Sequence, residues 1–469
     1  MTWQRHVVVV GASLAGLLAA AAAHRAGCRV TVLERDVLPY VPVPRRGVAQ
    51  GEQPHVFLHR GLLAAEQLLP GLEHRLEADG AVRLNTGRLP WLGESGWNPI
   101  GDQGYDILSS TRPLLEHSVR REVAALPGVR ILDGRRVEGV RRGDGGWLVA
   151  LAEPGDGAAA GEPGEPGDVG TADVVVDASG RSSRLPTWLA ALGVAAAPVS
   201  RVDAQLGYAT RPYTGPAGSG VVVQATPQEP RGGLALPIES GGWLVAVVGF
   251  GDDRPPRDAE GFEAYVRGLR DPSLARQLTR WTPAGEVSIH RQTANVRHHY
   301  ESVRDWPPGL LVVGDALCAF DPIYGQGVTV AACQALELGA ALAGTGSGRA
   351  SARASARGGT RGLQRRLAGV AGFPWAVATG ADLRFPSTQG CQSRAQAVTN
   401  AWARQLGTLA AHGDLRAATT LSRTYHLMGS PLGLFHPALL VAAARGRLAG
   451  LPPANPAPAA LGRASSSAA

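Results

Sequence analysis

The residues of this chain whose types and spacing can do chemistry are two acids, a small set of arginines and two glycine clusters. The first cluster is Gly11-Ala12-Ser13-Leu14-Ala15-Gly16, and Glu34 follows it at the end of an apolar run. An acid roughly 20 residues past such glycines stands where it can accept hydrogen bonds from a ribose, while the glycine turn and the helix start offer free N–H groups to a pyrophosphate. Ser13 takes the place of the usual middle glycine, which is tolerable if its hydroxyl turns away from, or bonds to, the phosphate. The second cluster is Gly314-Asp315-Ala316, leading to Pro322-Ile323-Tyr324-Gly325-Gln326-Gly327-Val328. Asp315 ends an apolar strand, the edge at which α/β sheets bind ligands. Gly325 and Gly327 open a helix whose positive end suits an anionic ring edge. Together the two clusters point to a bound dinucleotide.

These residues need particular elements to position them. Val7 to Val10 reads as a buried parallel strand, Leu14 to Ala26 as a helix, and Arg29 to Leu33 as the second strand of a βαβ unit. The run Val7 to Ala23 with Ala21-Ala22-Ala23 imitates a signal sequence, but the glycine spacing and Glu34 argue against that reading. It also falls short of the roughly 20 apolar residues of a membrane helix. Ser13 lacks the second glycine of a nucleophile elbow. Leu310 to Val313 reads as a strand and Val328 to about Leu342 as a helix. Between the two glycine clusters the chain changes to β-rich segments: Ala204 to Tyr213, Gly220 to Ala225, Gly233 to Ile238, Trp243 to Gly249 and Glu286 to Gln292. The fold expected is α/β, a Rossmann-type domain (1–185 and 286–345) with an inserted antiparallel β-sheet domain (186–285) and a C-terminal helical region (363–451). Segments 153–170, 344–362 and 452–469, rich in Gly, Pro, Ser and Ala, are expected to be flexible.

With both clusters in one chain, the sequence resembles the FAD-dependent monooxygenases of the aromatic-hydroxylase type. Cys318 stands where that family's Gly-Asp motif has histidine, and Ser179 takes the acidic position of a third motif, Val174-Val-Val-Asp177-Ala-Ser179-Gly180-Arg181. Within the family the phrases Pro44-Arg-Arg-Gly-Val48, Gln53-Pro-His55, Ser110-Thr-Arg112-Pro-Leu114, Gly207-Tyr-Ala-Thr-Arg211 and Pro322-Ile-Tyr-Gly-Gln-Gly327 are similar to bacterial polyene epoxidases of polyether biosynthesis. The resemblance implies FAD contacts from Gly11, Ser13, Leu14, Ala15, Gly16, Glu34, Arg35, Arg46, Arg112, Val137, Asp315, Pro322, Gly325, Gly327 and Val328. Of the neighbours Arg45 and Arg46, Arg46 is favoured. It also implies a substrate pocket near Tyr208, Arg211, Trp243, His290 and Tyr324, although aromatics on strands are more often core.

The chemistry so implied is reaction of reduced FAD with O2 to a C4a-hydroperoxide that epoxidises an alkene of a polyketide or terpenoid, with no catalytic side chain required. Electrons would come from NAD(P)H, directly or through a separate flavin reductase, and the missing acid at Ser179 predicts poor direct use. An aromatic or polycyclic hydroxylase, a prenyl-chain reductase and a non-turnover flavin carrier stay open as alternatives.

Composition narrows the field. All 46 basic residues are arginine, so Schiff-base chemistry and a P-loop lysine are excluded, and a flavin halogenase, which resembles this fold but uses a lysine, is not expected. The net charge of +7 has a bland origin in arginine and comes without a basic stripe interleaved with aromatics, so nucleic acid is not expected as a partner. The partners expected are a hydrophobic small molecule, free or held on a carrier protein, and a flavin reductase. The 4 cysteines, Cys28, Cys318, Cys333 and Cys391, have no metal-binding spacing, and a cytoplasmic enzyme without a transmembrane segment or metal is expected.

Overall fold

The valine run forms β1 (Arg5–Val10), the centre of a five-stranded sheet, because its side chains are apolar on both faces and only a strand covered on both sides buries them all. In the computed structural model, which describes residues 5–152, 169–218, 220–343 and 349–461, β1 is flanked by β2 (Cys28–Leu33) and β3 (Val129–Leu132) on one side and by β4 (Val174–Asp177) and β5 (Leu310–Val312) on the other. All pairings are parallel, and the order β3-β2-β1-β4-β5 is that of a doubly wound dinucleotide fold. Helix α1 (Leu14–Arg25) is buried almost all round, with Ala19 to Ala23 fully covered. The alanines that imitate a signal sequence are therefore a core helix, small enough to lie between the sheet and the helices packed over it. Helix α2 (Arg112–Ala124) starts at Thr111, whose side chain accepts from the Leu114 N–H. Helix α3 (Gly327–Ala343) packs on α1.

Over this domain lies an antiparallel sheet in which Leu206–Thr214 pairs with Gly242–Phe250 and that strand with Arg231–Pro237, followed by Val221–Val223. It also takes in Trp91–Gly93, Gly96–Trp97, Thr282–Pro283 and Ser288–His290, so strands from outside 186–285 complete it. Its outer face is packed by the helices Ala259–Arg267 and Ser273–Leu278. The C-terminal segments are α4 (Arg349–Val370), α5 (Gly372–Asp382), α6 (Arg394–Ala411), α7 (Leu415–Tyr425) and α8 (Pro437–Ala449).

Two of the segments expected to be flexible hold helical or buried residues. The linker placed at 344–362 contains the first turns of α4; Thr360 and Gln364 bond to the backbone of Gly309 and Val312 and anchor it on β5. Only residues 344–348 of that stretch lie outside the described residues. In the tail, Asn455 donates to the carbonyls of Trp97 and Ala410, and Leu461 is buried in the outer core of the sheet. Residues 462–469, and 153–168 of the stretch expected as a mobile hairpin tip, lie outside the described residues.

One buried side chain ties the second glycine cluster to this frame. Gln334 of α3 accepts the Gly314 N–H at 2.8 Å and donates to the Leu367 carbonyl at 3.0 Å, with no exposure to solvent. Replacing it with an apolar side chain strands both groups, each worth roughly 1–3 kcal/mol. Gln334→Leu is expected to lower unfolding stability by about 2 kcal/mol or more in urea titration.

Candidate functional site

Gly11 has φ +103° and runs against β4, where a Cβ would stand 2.6 Å from the Ala178 carbonyl oxygen. Gly314, with φ +62°, presses on the first cluster, since a Cβ there would stand 2.7 Å from that of Ala15. The two clusters therefore meet at the carboxyl edge of the parallel sheet, on the wall of one cavity of about 1680 Å³. That exceeds the roughly 300–1,000 Å³ of a typical small-ligand site and leaves room for two ligands.

The residues at the first cluster are locked by charge. Glu34 accepts from the Ala12 N–H at 2.8 Å and the Asp36 N–H at 3.1 Å, leaving lone pairs for a further donor. Arg45 lies 2.6 Å from Glu116, 2.8 Å from Asp36 and 3.5 Å from Glu34. Arg112 donates to Ser13 Oγ at 2.6 Å and to Glu116 at 3.2 Å, and Ser13 in turn donates to Glu116 at 2.8 Å. The Ser13 hydroxyl is thus taken up by Arg112 and Glu116. Burial pushes the Glu116 carboxyl up, but the guanidiniums of Arg112 and Arg45 outweigh it and hold the group below the usual carboxylate range. The Nε of Arg112 is buried and has no protein partner. An unpaired guanidinium donor beside the free N–H groups of a helix start is what a phosphate ester requires. On these donors the residues present fit a dinucleotide.

At the second cluster Asp315 is 38% accessible only toward the cavity, deep in the protein, with Arg181 Nε at 3.5 Å. Burial raises its carboxyl, and the charges of Arg181 and Arg112 oppose that. Gly327 and Val328 begin α3 on the cavity wall without an acceptor for their N–H groups among the described residues, and Gln326 Oε1 is buried without a donor. Cys318 faces away from the cavity in the core; burial pushes its thiol up to about 12, so it is a packing residue there. Ser179 donates to Asp177 at 2.5 Å, and a second bond from Ser183 completes that buried carboxyl.

Of the residues expected to contact a cofactor, Gly11, Ser13, Leu14, Ala15, Glu34, Arg35, Arg46, Arg112, Val137, Asp315, Pro322, Gly325, Gly327 and Val328 line this cavity. Gly16 does not; it backs onto the Gly11 carbonyl and serves the helix–strand contact. Arg46 is exposed and forms no ion pair among the described residues, whereas its neighbour Arg45 carries the buried contacts. Tyr208, His290 and Tyr324 line the cavity, but Arg211 and Trp243 do not. Side chains on a strand alternate between faces, and both of these belong to the outer one. Arg211 pairs with Glu263 at 3.1 Å, and Trp243 stacks on Trp281 at 4.3 Å in the outer core.

Sequence reasoning missed Glu116, Arg181 and the far wall built by α6 and α7, including Thr399, Ala403, Leu421 and Tyr425. Glu116 alone left a signal, being one helical turn beyond Arg112. Burial, helped by the Arg112 charge, pushes His55 down to about 3, and its Nδ1 lies 2.8 Å from the Gln53 carbonyl, so it is neutral with the proton on Nδ1. Among the described residues no group of three or more His, Cys, Asp or Glu side chains could hold a metal ion, and no helix is long and apolar enough to cross a membrane.

Because Glu116 titrates lower folded than unfolded, its contribution to stability is complete above about pH 4.3 and is lost as pH falls through the folded-state value. Glu116→Gln is expected to cost roughly 3 kcal/mol at pH 7, since two buried guanidiniums lose their counter-charge, and to lose less further stability than the parent between pH 5 and 3. Urea unfolding across that range checks both.

No family profile matches the chain. Its fold is shared by a flavoprotein/dehydrogenase from Cytophaga hutchinsonii (14% identity, TM-score 0.63, covering 95% of this chain and 99% of that one) and by a triple mutant of the flavin-dependent brominase Bmp2 (16%, 0.62, 94% and 98%). The same holds for PqsL, a probable FAD-dependent monooxygenase from Pseudomonas aeruginosa (18%, 0.54, 81% and 97%). The protein Rv3254 of Mycobacterium tuberculosis is 33% identical over 351 residues, covering 72% of this chain and 73% of its own length. The chain belongs to the family of Rv3254 and has the fold of the FAD-dependent monooxygenases.

Proposed function

We propose that the chain is an FAD-dependent monooxygenase that epoxidises an alkene of a polyketide or terpenoid intermediate. The observation that carries the reading is the meeting of Gly314 with Ala15, which puts Glu34, Arg112, Asp315 and the start of α3 on one cavity wall. FAD, when bound, supplies the redox and oxygen chemistry. Glu34 would accept the adenosine ribose hydroxyls, and the start of α1 with Arg112 would take the phosphates. Asp315 would hold the ribityl chain, and the N–H groups of Gly327 and Val328 would meet the pyrimidine edge, where their positive end favours the anionic reduced form.

The rest of the cavity suits a hydrocarbon. Leu234, Leu236, Ala246 and Val248 of the sheet face Ala403 and Leu421 of the C-terminal helices. Such walls exclude water, which an oxygen-transferring site needs more than it needs a general base. The absence of lysine in the whole chain separates this reading from halogenation. Ser179 is committed to Asp177 and adds no acid to the opening, in keeping with electrons delivered by a separate reductase.

Arg112→Ala should weaken FAD binding about 10- to 100-fold in a fluorescence titration, the equivalent of one lost charge-assisted contact of roughly 1.5–3 kcal/mol. Turnover with NAD(P)H, an added flavin reductase and 18O2 should place label in an epoxide. Label in a phenol would favour a hydroxylase, a saturated product a reductase, and binding without turnover a carrier. Rapid anaerobic bleaching by NADPH alone would contradict the need for a partner reductase.

A further inference from the structure

Behind the loop from Pro322 to Gly327 two carboxyls are buried together with no cation between them. Asp321 precedes the loop and is 1% exposed; Asp382 ends α5 and is 0% exposed. Both oxygens of Asp382 are filled by donors, the Tyr324 hydroxyl at 2.7 Å on Oδ1 and the Asn295 amide at 2.6 Å on Oδ2. Asn295 in turn accepts the Asp321 N–H at 2.8 Å, which draws the two acids side by side. Asp321 Oδ1 accepts the Ile323 N–H at 3.0 Å, but Asp321 Oδ2 is buried with no hydrogen-bond partner among the described residues, and Asn295 ties its residue to the Asp382 carboxyl. Two acceptors cannot satisfy each other, and two adjacent buried carboxylates repel strongly. A proton on Asp321 Oδ2, turned toward Asp382, removes both the repulsion and the orphaned acceptor.

We propose that Asp321 and Asp382 share one proton and, through the Tyr324 hydroxyl on the cavity wall, form a proton store for an oxyanion generated in that cavity. The shared proton rests on the donor-less Asp321 oxygen and the Asn295 bridge to Asp382, whereas its use rests on the monooxygenase reading. In the transfer the Tyr324 O–H bond breaks and its proton goes to the oxyanion. The pair's proton then passes through Asp382 Oδ1 to Tyr324 Oη, and the doubly charged pair regains a proton from solvent. Only O–H bonds are exchanged and no electrons move.

Burial drives both acids upward: Asp321 well above the usual range, and Asp382 to about 7 against the bonds from Tyr324, Asn295 and Asp321. The other charged or titratable groups facing the pair are Arg181, Asp203, Tyr208 and Tyr425. Arg181 bonds the carbonyls of Ala294 and Phe320 and pairs with Asp315; its charge opposes the rise of Asp321 without outweighing burial. The Tyr208 hydroxyl on the sheet is buried and has no hydrogen-bond partner among the described residues. An acid whose folded-state value is raised makes the fold lose stability as pH climbs from its unfolded value, about 4, to its folded one.

Infrared spectra of the purified protein in H2O and D2O test the proposal without any turnover. A protonated-carboxyl C=O band is expected at pH 7, absent in Asp321→Asn and displaced in Tyr324→Phe, which removes one bond to the pair. Urea stability should fall between about pH 4 and 7 in the parent and much less in Asp321→Asn, whose amide can donate to Asp382 without a titrating proton. Lack of the band in the parent, an equal pH slope in Asp321→Asn, or an unmoved band in Tyr324→Phe would each overturn the store. With turnover, Tyr324→Phe should release several-fold more hydrogen peroxide per product formed, and an unchanged ratio from pH 6 to 9 would overturn the relay. A protein that binds no FAD but shows the band would sink the monooxygenase reading and leave the shared proton standing.

Discussion

The close approach of Gly314 to Ala15 is the contact on which the rest of the molecule depends. Neither residue brings chemistry of its own. By carrying almost no side-chain volume they let the turn after β5 lie against the turn after β1, and so the acids and amides of both turns look into one space. A larger residue at either position would part the walls, whatever the chemistry of Glu34 or Asp315. Gln334 holds the same turn from behind, so backbone packing and a buried hydrogen bond fix one geometry together.

Around that contact the molecule separates two electrical environments. At the Ser13 end, Arg45, Arg112, Glu34, Asp36 and Glu116 form a dense ionic network in which burial is offset by opposite charges. At the Tyr324 end, burial meets no such compensation and a proton takes the place of a counter-ion. The first arrangement fixes the guanidinium groups in place. The second keeps an acid protonated next to an apolar chamber, the condition under which a carboxyl can donate rather than accept.

Much of this was legible in the residues. The βαβ unit, Glu34 at the end of β2, Asp315 at the edge of its strand and the glycines opening α3 all follow from local patterns: a valine run, a glycine spacing, an apolar helix. The sheet strands were placed with similar ease, but not the faces of their residues. Arg211 and Trp243 fell on the wrong side because alternation assigns residues to two faces without saying which face meets the cavity. The ion pairs of Arg45 were not legible, because a Pro- and Gly-rich loop has no periodicity to orient its side chains. The Asp321–Asp382 pair was invisible, since one acid belongs to a loop and the other to the end of α5, and only tertiary packing brings them together.

A titration of the purified chain with FAD, followed by flavin fluorescence, tests the central claim most directly. The account predicts saturable binding at one FAD per chain, with a yellow protein after gel filtration, and that binding should be lost on filling the turn contact by Gly314→Val in protein that retains its secondary structure. A parent chain that remains colourless and without affinity for FAD, or a Gly314→Val chain that binds it equally well, would contradict it.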